Sequence, residues 1–415
     1  MTAAESLAYI YGLGTELRPG RKFDLRTIRA LLAALGHPER KFASVHVAGT
    51  NGKGSVCAMI ESAARAAGWR TGLYTSPHLQ RFQERIRIAG DEIDDAALGA
   101  AATRVRDAAE GLELEGSLAR PPAFFEAATA VGFCAFAAAE VELAVVEVGL
   151  GGRLDATNVL EPKVAAITAL GMDHEAYLGS SLGEIAGEKA GILKPGVGAA
   201  ISAPQLAEAA AVLRAAAEAA GVPLEFVDRH AIEAAPPTRL LGQHQRENAA
   251  VATAVCRSLA AREFAIPEAA IETGLAHVRW PGRLERISSA PDVFLDGAHN
   301  PLAARALAAY LDQRGGEPPV LIFGAMRDKA VEEICEELFP RARAVVLTAP
   351  RQARALAPEA LAAACGNFAR RCEIAADYEG ALARARTIAA EAPAGTAIFV
   401  TGSLYLVGEA REASV

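Results

Sequence analysis

The sequence predicts an α/β protein of two units, each built on a mostly parallel sheet, and three observations predict it. Short apolar runs alternate with alanine-rich helical stretches almost throughout the chain. The runs are near-continuous rather than alternating, as in strands covered on both faces. They also fall into two separate series. The first contains Ala43–Ala48 (ASVHVA), Leu143–Val148 (LAVVEV) and Val164–Thr168 (VAAIT), with helices expected near Ser55–Ala67, Asp94–Ala109 and Pro122–Ala139. The second contains Val293–Asp296, Val320–Phe323, Ala344–Thr348 and Ala397–Thr401, with helices between. The polar, proline-containing stretch Arg286–Asp292 (RISSAPD) lies between the series and is expected to divide residues 1–287 from a smaller, Rossmann-like domain of residues 288–415. A length of 415 residues exceeds what one core usually spans. Leu206–Ala220 is alanine-rich, but its spaced Glu and Arg make it a surface helix rather than low complexity.

Composition narrows the function classes. A net charge of −8 argues against general nucleic-acid binding, because phosphate backbones attract basic surfaces. Any anionic substrate must then be held by local cations. The six cysteines are scattered without a C-x-x-C pair, which suits reduced thiols rather than a disulfide framework or a zinc site. The N-terminus lacks a basic signal-peptide region, and the longest apolar stretch, Ala127–Ala139, is too short to span a bilayer. A soluble, cytoplasmic, monomeric protein without nucleic-acid or membrane partners is the expectation.

The most informative stretch runs from His46 to Ser55 (HVAGTNGKGS). A strand enters glycines and then a helix beginning near Lys53. Glycines let backbone N–H groups turn around an anion, and a helix N-terminus adds partial positive charge. Gly49, Thr50, Asn51, Gly52, Lys53, Gly54 and Ser55 are therefore candidate nucleotide contacts, and the N-terminal domain is P-loop NTPase-like. Lys53 is placed to neutralise the β- and γ-phosphates. The spacing departs from G-x-x-x-x-G-K-[ST], since only two residues separate Gly49 from Gly52 and Gly54 precedes the serine. Further along, Glu147 ends an apolar strand and precedes GLGGRLDATN, putting a carboxylate at the crevice where α/β sheets bind ligands. A metal is a natural counter-charge there; a salt bridge to Arg153 is the alternative.

GTNGKGS resembles the nucleotide loop of the Mur ligase superfamily, specifically its folate branch of dihydrofolate synthases and folylpolyglutamate synthases. Muramyl-peptide ligases usually have threonine where Gly54 stands and carry a further domain ahead of the loop, for which the residues before Gly49 leave no room. TSPHL (Thr75–Leu79), ERI (Glu84–Ile86), the Asp173-His174 pair, EKAGI (Glu188–Ile192), GQHQRENA, WPGRL, LDGAHNP and TGSLY extend the resemblance across nearly the whole chain.

This resemblance implies that residues 1–287 bind ATP and that residues 288–415 form a glutamate-ligase domain. It implies Ser76, Glu147 and His174 as ligands of Mg²⁺, two ions in all, and a carbamylated Lys189. It implies Asn248 at the adenine, Lys53 and Arg283 at the transferring phosphate, and Asp296 at the ribose or positioning Arg283. His299 would help organise the glutamate end, which Ser403 and Tyr405 would contact. From the residues alone, Ser76 also reads as a Ser-Pro turn, Asn248 as a helix cap and Arg283 as an interdomain salt bridge. Arg81, Arg85 and Arg87 fall on one face of an extended segment that would attract a polyglutamate tail or simply face solvent. Ala330 in GAMRDKA and Ser181 in SSLGEIAGEK depart from the usual family residues, an acid and a threonine.

The implied reaction is ATP-dependent joining of L-glutamate to dihydropteroate, to tetrahydrofolate species, or to both, through an acyl phosphate. A folylpolyglutamate synthase alone and a different Mur-type amino-acid ligase stay open. A nucleotide-binding switch without ligase chemistry accounts for GTNGKGS but not for the remaining motifs.

Overall fold

A computed structural model of the chain describes residues 1–14, 24–118 and 120–414. It divides into two compact units. The first comprises Met1–Leu170, Leu178–Arg239 and Arg246–Val278; the second comprises Gly171–Tyr177, Leu240–Gln245 and Arg279–Val415.

The first unit is organised by an eight-stranded sheet. Its strands are β1 (Ala43–Ala48), β2 (Thr71–Tyr74), β3 (Ile86–Ile88), β4 (Asp91–Glu92), β5 (Leu143–Glu147), β6 (Val164–Ile167), β7 (Ala199–Ser202) and β8 (Leu224–Phe226), in the order β4-β3-β2-β5-β1-β6-β7-β8. β2, β5, β1, β6, β7 and β8 are parallel, and β3 and β4 add an antiparallel edge. β1 is flanked by β5, with Val47 opposite Glu147, and by β6, with Ala48 opposite Ile167. Strands buried on both faces need apolar residues throughout, which is why ASVHVA and LAVVE read as continuous runs. The Phe124–Ala138 helix is apolar around its circumference and correspondingly buried, with Phe133 and Phe136 fully enclosed. Each such ring contributes about 2–3 kcal/mol through removal from water. No helix among the described residues is long and apolar enough to cross a membrane.

The second unit contains a six-stranded sheet of β9 (Glu285–Ser289), β10 (Asp292–Leu295), β11 (Val320–Phe323), β12 (Ala344–Leu347), β13 (Cys372–Ile374) and β14 (Ile398–Thr401), ordered β13-β12-β11-β14-β10-β9. All neighbours are parallel except β9 and β10. That pair corrects the linker reading of Arg286–Asp292. The stretch is an antiparallel hairpin, and its polar residues belong to a sheet edge facing water rather than to a connection between domains.

Candidate active site

The glycine loop leaves β1 at its carboxyl end and becomes the Lys53–Ala66 helix. Gly49 and Gly52 have φ of 153° and 89°, conformations in which side chains are strained. A Cβ on Gly49 would collide with the Thr168 hydroxyl, and one on Gly52 with the Asn248 amide oxygen. The amides of Thr50 and Asn51 both donate to the Ala169 carbonyl, at 3.0 and 3.2 Å, which anchors the loop to the segment after β6. No side chain caps the helix at Gly52. Its first turn therefore presents backbone N–H groups and the positive end of the helix dipole, as an anion site requires. Lys53 Nζ donates to the Thr50 carbonyl at 3.2 Å and lies 4.0 Å from Glu147 Oε1. Gly54 and Ser55 are buried in the first turn.

Around this loop the sheet gathers the other first-unit candidates. Glu147, 4% exposed at the end of β5, accepts the Ser76 N–H at 3.1 Å. Arg153, its alternative partner, instead pairs with Glu188 at 2.6 Å. Lys189 is buried on the Leu182–Ala190 helix and donates from Nζ to the Gly49 carbonyl at 2.9 Å. Ser181 caps that helix in a capping box with Glu184, a role serine fills as well as threonine. Among the described residues no three His, Cys, Asp or Glu side chains converge on one point. One buried carboxylate beside a serine is nonetheless an oxygen donor set of the kind Mg²⁺ uses, with waters and substrate phosphates completing its shell.

The second unit assembles its own polar group. Asp296, buried at the end of β10, accepts N–H groups from Leu284 at 3.1 Å and Ala298 at 3.0 Å. Burial pushes its carboxyl pKa up, against the pull of Arg283 and the two N–H donors. Arg283 lies over Gly297, where a Cβ would meet its Nη1 at 2.5 Å. His299 Nδ1 donates to the Gly297 carbonyl at 2.7 Å. Burial, reinforced by Lys329, lowers its pKa to about 4, so the ring is neutral. Asp173 accepts from Lys329 Nζ at 2.6 Å and from Asn300 Nδ2 at 2.8 Å, with His299 Nε2 at 3.8 Å and His174 Nε2 at 4.0 Å. Burial opposes its charge, but His174, Lys329 and His299 outweigh that and hold the carboxyl well below the usual range.

Some expectations meet a different geometry. Arg85 does not share an exposed face with Arg81 and Arg87. Phe82–Arg85 form a 3₁₀ turn that leaves Arg85 only 2% exposed, with its guanidinium near the Phe82 and Phe124 rings (5.8 and 5.3 Å) and its Nε donating to His78 Nδ1 at 2.7 Å. Arg81 and Arg87 both reach Glu92, at 2.7 and 3.6 Å. Ser403 is buried as the cap of the Leu404–Glu412 helix, accepting the Tyr405 N–H at 3.2 Å. Asn248 presents its side chain to Gly52. Sequence reasoning missed the roles of Asp173, Lys329 and Asn300. The available signal was that DH and DK each follow a strand end, those of β6 and β11.

Residues 282–404 match the family model for the Mur ligase glutamate ligase domain. A Bacillus subtilis dihydrofolate synthase/folylpolyglutamate synthase is 36% identical over 365 residues, covering 82% of this chain and 84% of its own. Mycobacterium tuberculosis folylpolyglutamate synthase complexed with ADP superposes with a TM-score of 0.92 at 35% identity, covering 99% of this chain and 98% of its own. Escherichia coli FolC in complex with DHPP and ADP superposes with a TM-score of 0.87 at 28% identity, over 100% and 97% of the two chains. The chain belongs to the dihydrofolate synthase/folylpolyglutamate synthase family, the folate branch of the Mur-type ligases.

Proposed function

We propose that this chain uses ATP to join L-glutamate to a folate-type carboxylate, acting on dihydropteroate to give dihydrofolate and on reduced folates to lengthen a polyglutamate tail. The observation that carries the reading is the uncapped Lys53–Ala66 helix behind a glycine loop, with Lys53, Glu147 and Lys189 drawn around it. A carboxylate does not react with an amine unaided, because oxide is too poor a leaving group. Transfer of the γ-phosphoryl group to the substrate carboxylate gives an acyl phosphate; the α-amine of glutamate attacks it, and phosphate leaves from the tetrahedral intermediate. The helix N–H groups and Lys53 hold the triphosphate and stabilise charge that develops on its oxygens. Arg283 acts on the same phosphoryl group, and Asp296 positions it by fixing the Leu284 backbone. Glu147 and Ser76, with His174 at a second position, would hold Mg²⁺, which supplies Lewis-acid polarisation of the phosphoryl oxygens when bound.

Lys189 is the candidate for carbamylation: the product is an anion beside the loop, and its buried amine already reaches Gly49. Asn248, against Gly52, is assigned to the adenine edge, whose donor and acceptor an amide matches. His299, Ser403 and Tyr405 are assigned to the glutamate end, with Ser403 acting through the helix it caps. Free cysteines, five of the six buried, support a reducing cytoplasmic setting. We take the working state to be a monomer. A product screen tests the reading: the purified chain is given MgATP and L-glutamate with dihydropteroate, tetrahydrofolate or a muramyl nucleotide. Glutamylated pteroate and folate are expected. A muramyl product alone, or ADP release indifferent to glutamate, would overturn it.

A further inference from the structure

Beneath the phosphate loop, three buried polar side chains of the first unit form a line that the mechanism above does not use. His46 lies in β1, fully buried, three residues before Gly49. Its Nε2 is 2.8 Å from Thr157 Oγ1. The Thr157 hydroxyl gives its single proton to Asp155 Oδ1. It can therefore only accept from the imidazole, which fixes the His46 proton on Nε2. His46 Nδ1 is left buried without a hydrogen-bond partner. Burial, with a contribution from Lys194, lowers the ring's pKa to about 3, so it stays neutral. Asp155 also accepts the Thr157 N–H at 3.0 Å and the Leu150 N–H at 2.8 Å.

The line ends on the loop 149–158, which starts two residues after Glu147. The same loop docks on the segment carrying Lys189. The Arg153 N–H donates to the Glu188 carbonyl at 2.8 Å, and Asn158 Nδ2 donates to the Gly191 carbonyl at 3.0 Å. Gly152 packs so closely that a Cβ would meet the Glu188 and Lys189 carbonyls at 2.9 and 3.0 Å. An imidazole with an orphaned nitrogen and a buried carboxylate are costly furnishings for a core where aliphatic residues would serve packing better.

We propose that His46, Thr157 and Asp155 are positioning residues: they lock the loop 149–158 so that Glu147 and Lys189 keep the arrangement at the phosphate loop that a magnesium-bound nucleotide needs. The inference rests on the ligase reading given above. Its distinctive consequence is selectivity. Loosening the line should harm binding of the nucleotide with its metal far more than binding of the bare nucleotide, because the loop adjoins Glu147 and not the glycines of the phosphate loop.

Thr157→Val removes the hydroxyl at nearly constant volume, and Thr157→Ser restores it. ADP binding is measured by calorimetry on the full chain, with Mg²⁺ and separately in EDTA, alongside hydrogen exchange at the Leu150 amide. The expected result for Thr157→Val is about tenfold weaker binding with Mg²⁺, no more than about twofold weaker binding in EDTA, and faster Leu150 exchange; a tenfold change is about 1.4 kcal/mol. Thr157→Ser should stay within about twofold of wild type. His46→Leu should repeat the valine pattern, and His46→Gln, whose amide can still donate to Thr157, should be milder. Wild-type ADP affinity in Thr157→Val, or equal losses with and without Mg²⁺, would overturn the proposal. So would failure of both Thr157→Val and His46→Leu to fold, which would make the line a fold element. A wild-type chain that binds no ADP would defeat the ligase reading first and this one with it.

Discussion

β1 and β10 end alike, each strand passing through a short loop into a 14-residue helix, yet the two loops spend their hydrogen-bonding groups differently. At β1 the cap position is Gly52, which has no side chain to cap the helix. At β10 the cap is Asn300, whose Oδ1 accepts the Ala303 N–H at 2.9 Å, and Pro301 removes another donor from the first turn. Asp296 likewise takes the Leu284 and Ala298 N–H groups for the protein's own use. The first helix starts without a capping side chain, its loop amides at Thr50 and Asn51 being bonded to Ala169, whereas the second has a side-chain cap and spends further donors holding side chains in place. One strand–loop–helix plan thus gives either a helix start without a capping side chain, the candidate anion site, or a side-chain-capped start beside His299 and the Asp173 cluster.

The largest expected break in this contrast is at the first loop. Lys53→Ala should lower turnover by about 10²–10³-fold, the usual cost of deleting a charge-stabilising donor. Its melting temperature should stay within about 2 °C of wild type, since Lys53 makes one hydrogen bond, to the Thr50 carbonyl, beside an ion pair at the 4.0 Å limit. Steady-state kinetics and a thermal melt check both.

Acid comes next and should act on both regions, because each buries a neutral histidine. The pKa of His46 is lowered to about 3 and that of His299 to about 4, both by burial first. Between these values and the ordinary 6.5, the unfolded chain binds the proton that the folded chain refuses, so stability falls as pH drops through that window. At pH 5 each group can remove up to about 2 kcal/mol relative to pH 7. Denaturant titrations from pH 7 to 5 should show the loss, and His299→Asn should lessen it. A flat profile would contradict the neutral assignments.

Asn300→Ala is expected to be smaller and to divide the other way. It removes a helix cap and a donor to Asp173, costing about 1–2 kcal/mol and lowering the melting temperature by roughly 2–8 °C. Nucleotide affinity should change by less than about twofold, because the residue serves its own helix and Asp173. A calorimetric ADP titration with a melt distinguishes this from a ligand role.

The same contrast explains what could be read from sequence. The glycine loop is a local device: glycines, lysine and helix start lie within seven residues of Gly49, so residue types alone mark it as a candidate phosphate cradle. Strands buried on both faces are legible for a similar reason, since continuous apolar runs have few other uses. The Asp173–Lys329 pair spans 156 positions, and the His46–Thr157 contact spans 111. Neither spacing signals proximity without the strand order, which brings β1 and β5 together. Arg85 failed for another reason. A charged residue next to other arginines reads as surface, but a 3₁₀ turn and two aromatic rings made a buried place for its guanidinium. The hairpin at Arg286–Asp292 misled because the polar outer strand of a sheet and a linker share the same composition.

A phosphoryl group delivered at the loop Gly49–Ser55 is what would activate an otherwise inert carboxylate. Oxygen-18 tracing tests it directly, with dihydropteroate labelled in its carboxylate and supplied with MgATP and L-glutamate. An acyl-phosphate route places one labelled oxygen in the released inorganic phosphate for each amide bond formed. Label found in AMP, or phosphate released without label while the amide forms, would contradict it.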